Sequence, residues 1–137
     1  MSDYDREREA IHAYNQPLLG AFQTWLEESG LSKKTVESHV ENIDFFTEYL
    51  VYYEPLRQLD QATDSDVFSF LADWFPRKAM WASVTSVKSY LASFKKFFKW
   101  MGQAGHVSDE VVAGVIEILK EGREEFLDAV GDDDAYR

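Results

Sequence analysis

The stretch SVTSVKSYLASFKKFFKWMG, residues 83–102, has the strongest periodic pattern in the chain. Its apolar side chains recur at steps of three and four residues, which places them on one face of an α-helix. Ser83 suits the N-cap position, and Gly105 suits the residue that ends a helix. The pattern predicts a long amphipathic helix over about residues 83–103. Its apolar face comprises Val84, Val87, Leu91, Phe94, Phe98 and Met101.

The opposite face of this predicted helix is basic. At 100° per residue, Lys88, Lys95 and Lys99 fall within about 40° of one another, and Lys96 flanks them. No Asp or Glu occurs between Trp74 and Ser108. Lysines beside Ser and Thr hydroxyls are suited to contact a phosphate backbone. The alternative explanation of this basic face is that it is only exposed to solvent. The basic residues of this stretch are Arg77, Lys78, Lys88, Lys95, Lys96 and Lys99.

The rest of the chain also has helical spacing, and no stretch alternates apolar and polar residues for long enough to indicate a strand pair. We therefore expect an all-α fold, a compact bundle of four to five helices. Pro17 is expected to separate the first two helical segments, and Pro76 to end the short one that Thr63 opens. Besides the basic helix, the predicted segments of the bundle are 18–30, 33–53, 63–75 and 108–127, and residues 4–14 could form a short polar helix before it.

Length and charge predict one folded domain with two polar ends. We expect a polar arm or short helix over residues 1–16, a single helical domain over 17–130 and an acidic tail over 131–137. The net charge of −11 is unevenly distributed, because residues 106–137 carry ten acidic and three basic side chains. The central part, residues 17–105, carries eleven acidic and nine basic side chains and is nearly neutral.

Several chemistries have little support in the composition. The chain has no Cys, which excludes disulfides and thiolate metal sites, and His12, His39 and His106 lack the spacing of a metal site. No Gly-rich phosphate loop or nucleophile motif occurs, so we expect no cofactor and no metal. The charged N-terminus and the lack of a run of about 20 apolar residues predict a cytoplasmic protein without a membrane span.

Aromatic residues form 15% of the chain, and core packing is expected for most of them. Tyr52, Tyr53 and Trp81 are the candidates for exposure. Exposed aromatic side chains would indicate a binding face for protein or single-stranded nucleic acid.

Two segments together carry a family resemblance: LSKKTVESH at 31–39, followed by Phe46 and Leu50, and VKSYLASFKKFFKWM at 87–101. Over about residues 18–105 the chain resembles the core-binding, SAM-like domain of phage integrases and tyrosine recombinases. The resemblance implies a bundle of four or five helices that grips duplex DNA. It places Lys33 and Lys34 in a helix-opening turn near the DNA backbone. It places Lys95 and Lys99 on the groove-facing helix, with Lys88 as a companion.

The chain departs from the family pattern in two ways. Glu41 and Asp44 stand where the family often has basic residues, and with Glu37 and Glu48 they form an acidic face that would repel phosphates. DNA binding is therefore expected to be weak or to use one helix. The family's catalytic domain is not in this sequence, so we expect no enzyme activity from this chain, which could be a fragment of a site-specific recombinase.

Two hypotheses about function follow. A third interpretation explains the acidic composition as an adaptation to high salt and says nothing about partners. The first is a non-catalytic module that binds double-stranded DNA. The alternative is a module that binds another protein, or a second copy of itself, through the acidic last helix and tail. An exposed apolar stripe through Val112, Val115, Ile116 and Leu119 would favour this alternative. The candidate DNA-binding residues are Lys33, Lys34, Arg77, Lys78, Lys88, Lys95, Lys96 and Lys99.

Overall fold

A computed structural model describes residues 1–135, with side chains through Gly131. It shows six helices and no strand in that range, so the predicted all-α class is confirmed and the predicted count of four to five is too low. The carboxylates of the expected acidic tail lie outside the described side chains. The helices are α1 (Asp3–Glu28), α2 (Lys33–Leu50), α3 (Asp64–Ser69, Phe70–Trp74 and Phe75–Lys78 in succession), α4 (Val84–Gln103), α5 (Asp109–Glu121) and α6 (Arg123–Ala135).

The chain divides into two compact units, Met1–Ala62 and Thr63–Arg137. The extent of 17–130 for a single domain stays a prediction. In the first unit, α1 and α2 form an antiparallel hairpin. The Tyr4 hydroxyl donates to the Val51 carbonyl at 2.7 Å, and Arg8 pairs with Glu48 at 3.0 Å. These two contacts place the start of α1 beside the end of α2.

Pro17 lies inside α1 and does not end it, so the predicted break between the first two helical segments is wrong. An interior proline costs a helix about 3 kcal/mol, because it removes one backbone donor and crowds the preceding turn. Leu18, Leu19 and Phe22 follow it and are buried. Burial of each such side chain contributes about 1.5–3 kcal/mol, which is enough to offset the loss.

A short 3-10 turn, Leu59–Gln61, is attached to α1 by two side chains. The buried Asn15 accepts a hydrogen bond from the Leu59 backbone N–H at 3.1 Å. The Tyr14 hydroxyl donates to Asp60 at 2.6 Å, and this hydrogen bond to a carboxylate raises the pKa of Tyr14. The first unit therefore closes with the chain held against the middle of α1.

Aromatic side chains form the core of the second unit. Phe70 lies at its centre, and its ring centroid is 5.5 Å from that of Tyr90 and 5.7 Å from that of Phe94 on α4. Trp74 and Phe75 contact the same ring at 5.6 and 5.4 Å. The Phe70–Trp74 segment is a single π-turn, in which the Phe75 N–H bonds to the Phe70 carbonyl. This wider turn brings the aromatic residues of α3 to the face that packs on α4.

The predicted last helix is two helices, because α5 ends at Gly122 and α6 begins at the next residue. Gly122 permits close packing here: a Cβ atom at this position would lie 2.6 Å from Cζ of Phe126 and 2.9 Å from the Ile118 carbonyl oxygen. Phe126 is fully buried, and its ring makes an edge contact with Phe68 at 5.5 Å. The break at Gly122 thus allows α6 to return to the aromatic core.

The two glycines Gly122 and Gly20 give a matched test of this packing. Gly122→Ala should lower the free energy of unfolding by about 1–3 kcal/mol, because the Phe126 ring and the backbone must move. Gly20→Ala should raise it by about 0.5–1 kcal/mol, because Gly20 is inside α1 with open space around it. Urea denaturation followed by circular dichroism measures both. Two shifts of the same sign would contradict the packing described at Gly122.

Candidate nucleic-acid interface

The helix α4 is amphipathic in the way that its sequence predicts. The Ser83 hydroxyl caps it by accepting a hydrogen bond from the Ser86 N–H at 3.1 Å. On the inner face, Val87, Phe94 and Phe98 have no exposed surface. Because that face is fixed in the core, the rotation of α4 about its axis is fixed too.

The outer face of α4 carries three exposed lysines, Lys88, Lys95 and Lys99, while Lys96 is half-buried beside them. We call these three residues the lysine ridge. Among the described side chains of their unit, no carboxylate lies within ion-pair distance of the ridge. Within that unit, their charge is not neutralised by an ion pair with a described side chain.

A groove of about 410 Å³ lies beside the ridge, between α4 and the end of α5. Four cations surround an apolar floor, and no carboxylate is among its lining residues. We call this feature the cationic groove. Its lining residues are Lys88, Leu91, Ala92, Lys95, Ile116, Leu119, Lys120 and Arg123.

Lys120 and Arg123 were not among the predicted binding residues. They belong to residues 106–137, which were interpreted from the sequence as an acidic segment. They are the two basic residues on either side of Gly122, in the block with ten acidic side chains. A signal was present, because Lys120 falls within about 40° of Ile116, at the edge of the apolar side of α5. The net charge of residues 106–137 concealed this signal, because a net charge does not show on which face of the helix each charged side chain lies.

The basic pair Arg77 and Lys78 ends α3, and both side chains are exposed. The predicted end of this helix at Pro76 is therefore wrong, because the helix continues for two residues past it. Arg77 is not a free cation: its Nε and Nη2 donate to the two carboxylate oxygens of Asp73 at 3.1 and 2.9 Å. These hydrogen bonds lower the pKa of Asp73. The stretch without acidic residues begins at Trp74, one residue after Asp73. Charge counting within that stretch therefore missed an i,i+4 pair that the sequence contains.

Lys33 and Lys34 lie in the first unit, where both are exposed on the first turn of α2. Lys33 lines a shallow hollow with Glu27 and Glu37, so its surroundings carry mixed charge. The structure therefore brings together Lys88 and Lys95 in one groove, with Lys99 on the same face, and places Lys33 and Lys34 on another helix.

The aromatic candidates for exposure are indeed exposed. Trp81 is 53% exposed, and the adjacent Met80 is 99% exposed, in the loop between α3 and α4. Tyr52 and Tyr53 are about half exposed after α2, whereas most Phe side chains are buried as expected. Trp81 rests its ring edge-on against Phe75 at 6.2 Å, which holds it in place beside the basic pair.

The apolar side of α5 does not form an exposed stripe. Val115 and Leu119 are buried, and Val112 and Ile116 are half-buried. The feature that would have favoured a protein interface through this stripe is thus missing from the described surface of α5.

The described residues contain neither a metal-binding cluster nor a membrane-spanning helix. No group of three or more His, Asp or Glu side chains among them could hold a metal ion. His39 is buried on α2, and His106 packs its ring against Trp100 at 5.3 Å. No described helix is long and apolar enough to cross a membrane.

An all-helical fold with an exposed cationic face on one helix is a suitable scaffold for contact with a polyanion. The family model "Phage integrase, N-terminal SAM-like domain" matches residues 10–105, which is more than half of the chain. The chain therefore belongs to the phage integrase N-terminal SAM-like family, whose members are DNA-binding modules. The predicted resemblance is confirmed. No curated protein and no solved structure matched the chain.

Proposed function

We propose that this chain binds double-stranded DNA without cutting it, and that the lysine ridge of α4 contacts the phosphate backbone. The observation that carries the proposal is the exposure of Lys88, Lys95 and Lys99 on one face, with no described carboxylate of their unit paired to them. The buried aromatic face behind them keeps that charge pointing outward.

The ridge has the dimensions of a backbone contact. Lys88 and Lys99 are eleven residues apart, which is about 16 Å along a helix axis. A duplex strand advances about 3.4 Å per phosphate, so the ridge spans several phosphates. Each lysine that neutralises a phosphate releases condensed counterions, which makes the contact favourable and sensitive to salt. The exposed Thr85 on the same side can donate a hydrogen bond to a phosphate oxygen.

The other basic residues are assigned lesser roles. Lys96, Lys78, Lys33 and Lys34 are proposed as additional phosphate contacts, since each is at least partly exposed. Arg77 contributes only when its bond to Asp73 is exchanged for a phosphate. The proposed binding domain is residues 17–130.

The net charge of −11 limits affinity but does not prevent contact. At about 0.1 M salt the Debye length is about 10 Å, so distant acidic residues are screened while the ridge acts at close range. Association is nonetheless slowed by the overall negative charge. We therefore expect weak, strongly salt-dependent binding with little sequence preference.

The first test replaces the ridge lysines together, as Lys88→Gln/Lys95→Gln/Lys99→Gln. Binding of a labelled duplex at about 50 mM salt should weaken by about 10- to 100-fold, because three phosphate contacts are lost. Fluorescence anisotropy measures the dissociation constant. The matched control is Ala13→Glu/Gln16→Glu/Ala21→Glu, which changes the net charge by the same amount at exposed positions of α1.

The control separates a local contact from an effect of total charge. The control variant should bind within about threefold of the unchanged chain, since screening removes most of a distant charge. Equal losses in the two variants would refute a contact through the ridge. Failure of the unchanged chain to bind any duplex at low salt would refute the proposed function as a whole.

A second test concerns Arg77. Asp73→Asn removes the carboxylate charge that pairs with its guanidinium, so DNA affinity should rise by about two- to fivefold if a phosphate takes the place of that carboxylate. The control is Asp128→Asn, which removes one exposed carboxylate from α6. Equal gains in both variants would show that only the net charge matters and that Arg77 makes no contact.

A further inference from the structure

The cationic groove has properties that DNA binding does not require. Two of its four cations, Lys120 and Arg123, come from outside α4, and its floor is apolar. A phosphate backbone gains little from an apolar floor, whereas a protein surface with carboxylates beside apolar groups gains from both parts. The groove therefore fits an acidic helix face better than it fits a nucleic acid.

The first unit of this same chain presents such a face. Glu37, Glu41 and Asp44 are exposed on α2, and at 100° per residue they lie within about 60° of one another. We call these three residues the acidic stripe. No described side chain of their unit forms an ion pair with them, although Lys33 lines the same shallow hollow as Glu37. The half-buried Val40 lies at the edge of the stripe and adds an apolar component.

We propose that the cationic groove of one copy binds the acidic stripe of a second copy. Three carboxylates meet four cations, so the charges of the two surfaces nearly balance. A helix with its side chains is about 10–12 Å across, which is too large for a cavity of about 410 Å³. The side chains of the stripe enter the groove while the backbone of α2 stays outside it.

The contact joins two different surfaces, so it is heterologous. Each copy that uses its groove still has an unoccupied stripe, and association continues beyond a dimer unless it closes into a ring. Ion pairs at the rim of the groove make the association weaken as salt concentration rises.

The groove shares Lys88 and Lys95 with the lysine ridge. If the proposed DNA contact is correct, a groove filled by carboxylates is closed to phosphates, and self-association restrains DNA binding. This consequence rests on the proposed function. The self-association does not, because it needs no DNA.

The experiment is sedimentation velocity of the full chain with two neutralising variants. The groove variant is Lys120→Gln/Arg123→Gln, and the stripe variant is Glu37→Gln/Glu41→Gln. The unchanged chain should associate with rising concentration and less so at high salt. Each variant alone should associate at least about tenfold more weakly, because one side of every contact has lost charge.

Mixing the two variants tests the pairing of the surfaces directly. The groove variant keeps an intact stripe and the stripe variant keeps an intact groove, so an equimolar mixture should form a heterodimer and stop there. The matched control mixes the groove variant with Gln16→Glu/Ala21→Glu, which retains both surfaces and should form complexes larger than a dimer.

Two results would overturn the proposal. One is an unchanged chain that stays monomeric up to about 1 mM. The other is a mixture of the two variants that is no more associated than either alone. The groove variant keeps its lysine ridge intact. Its binding to a duplex, measured by fluorescence anisotropy, therefore tests the proposed function separately from the self-association.

Discussion

The burial of the apolar face of α4 is the interaction on which the rest of the second unit depends. Phe70 packs against Tyr90 and Phe94 of that helix, and α6 returns to the same core through Phe126. Removing this face from water is worth far more than any single surface charge contact. The core therefore decides the rotation of α4, and the lysine ridge faces outward as a consequence.

The net charge of this protein does not describe its individual surfaces, because acidic and basic side chains are concentrated on different helix faces. A chain with a net charge of −11 carries a helix face with three lysines and a groove with four cations. Within about 10 Å at 0.1 M salt, a partner responds to that local arrangement more than to the total. The acidic residues on α2 fit the same principle, since they form a separate stripe and are not scattered over the lysine ridge.

Helical periodicity predicted the all-α class and the inner face of α4, and residue type predicted the cap at Ser83, because these features depend on the local sequence. The errors at Pro17 and Gly122 have a common cause. In both places tertiary packing outweighs local propensity: buried leucines carry α1 past a proline, and the Phe126 ring needs a residue without a side chain. The cationic groove was missed because it combines two elements that are far apart in sequence, which periodicity within one segment does not reveal.

The chain has no cysteine, so one introduced cysteine can carry a photo-crosslinker to a single known position. Ala92→Cys places it between Lys88 and Lys95 without removing a lysine, and Ala21→Cys and Ala113→Cys place it at exposed control positions on α1 and α5. If α4 meets the backbone through its lysine ridge, crosslinking to a duplex should be strongest from residue 92 and should fall as salt rises. A yield from residue 92 no higher than from residue 21 or 113 would contradict that contact.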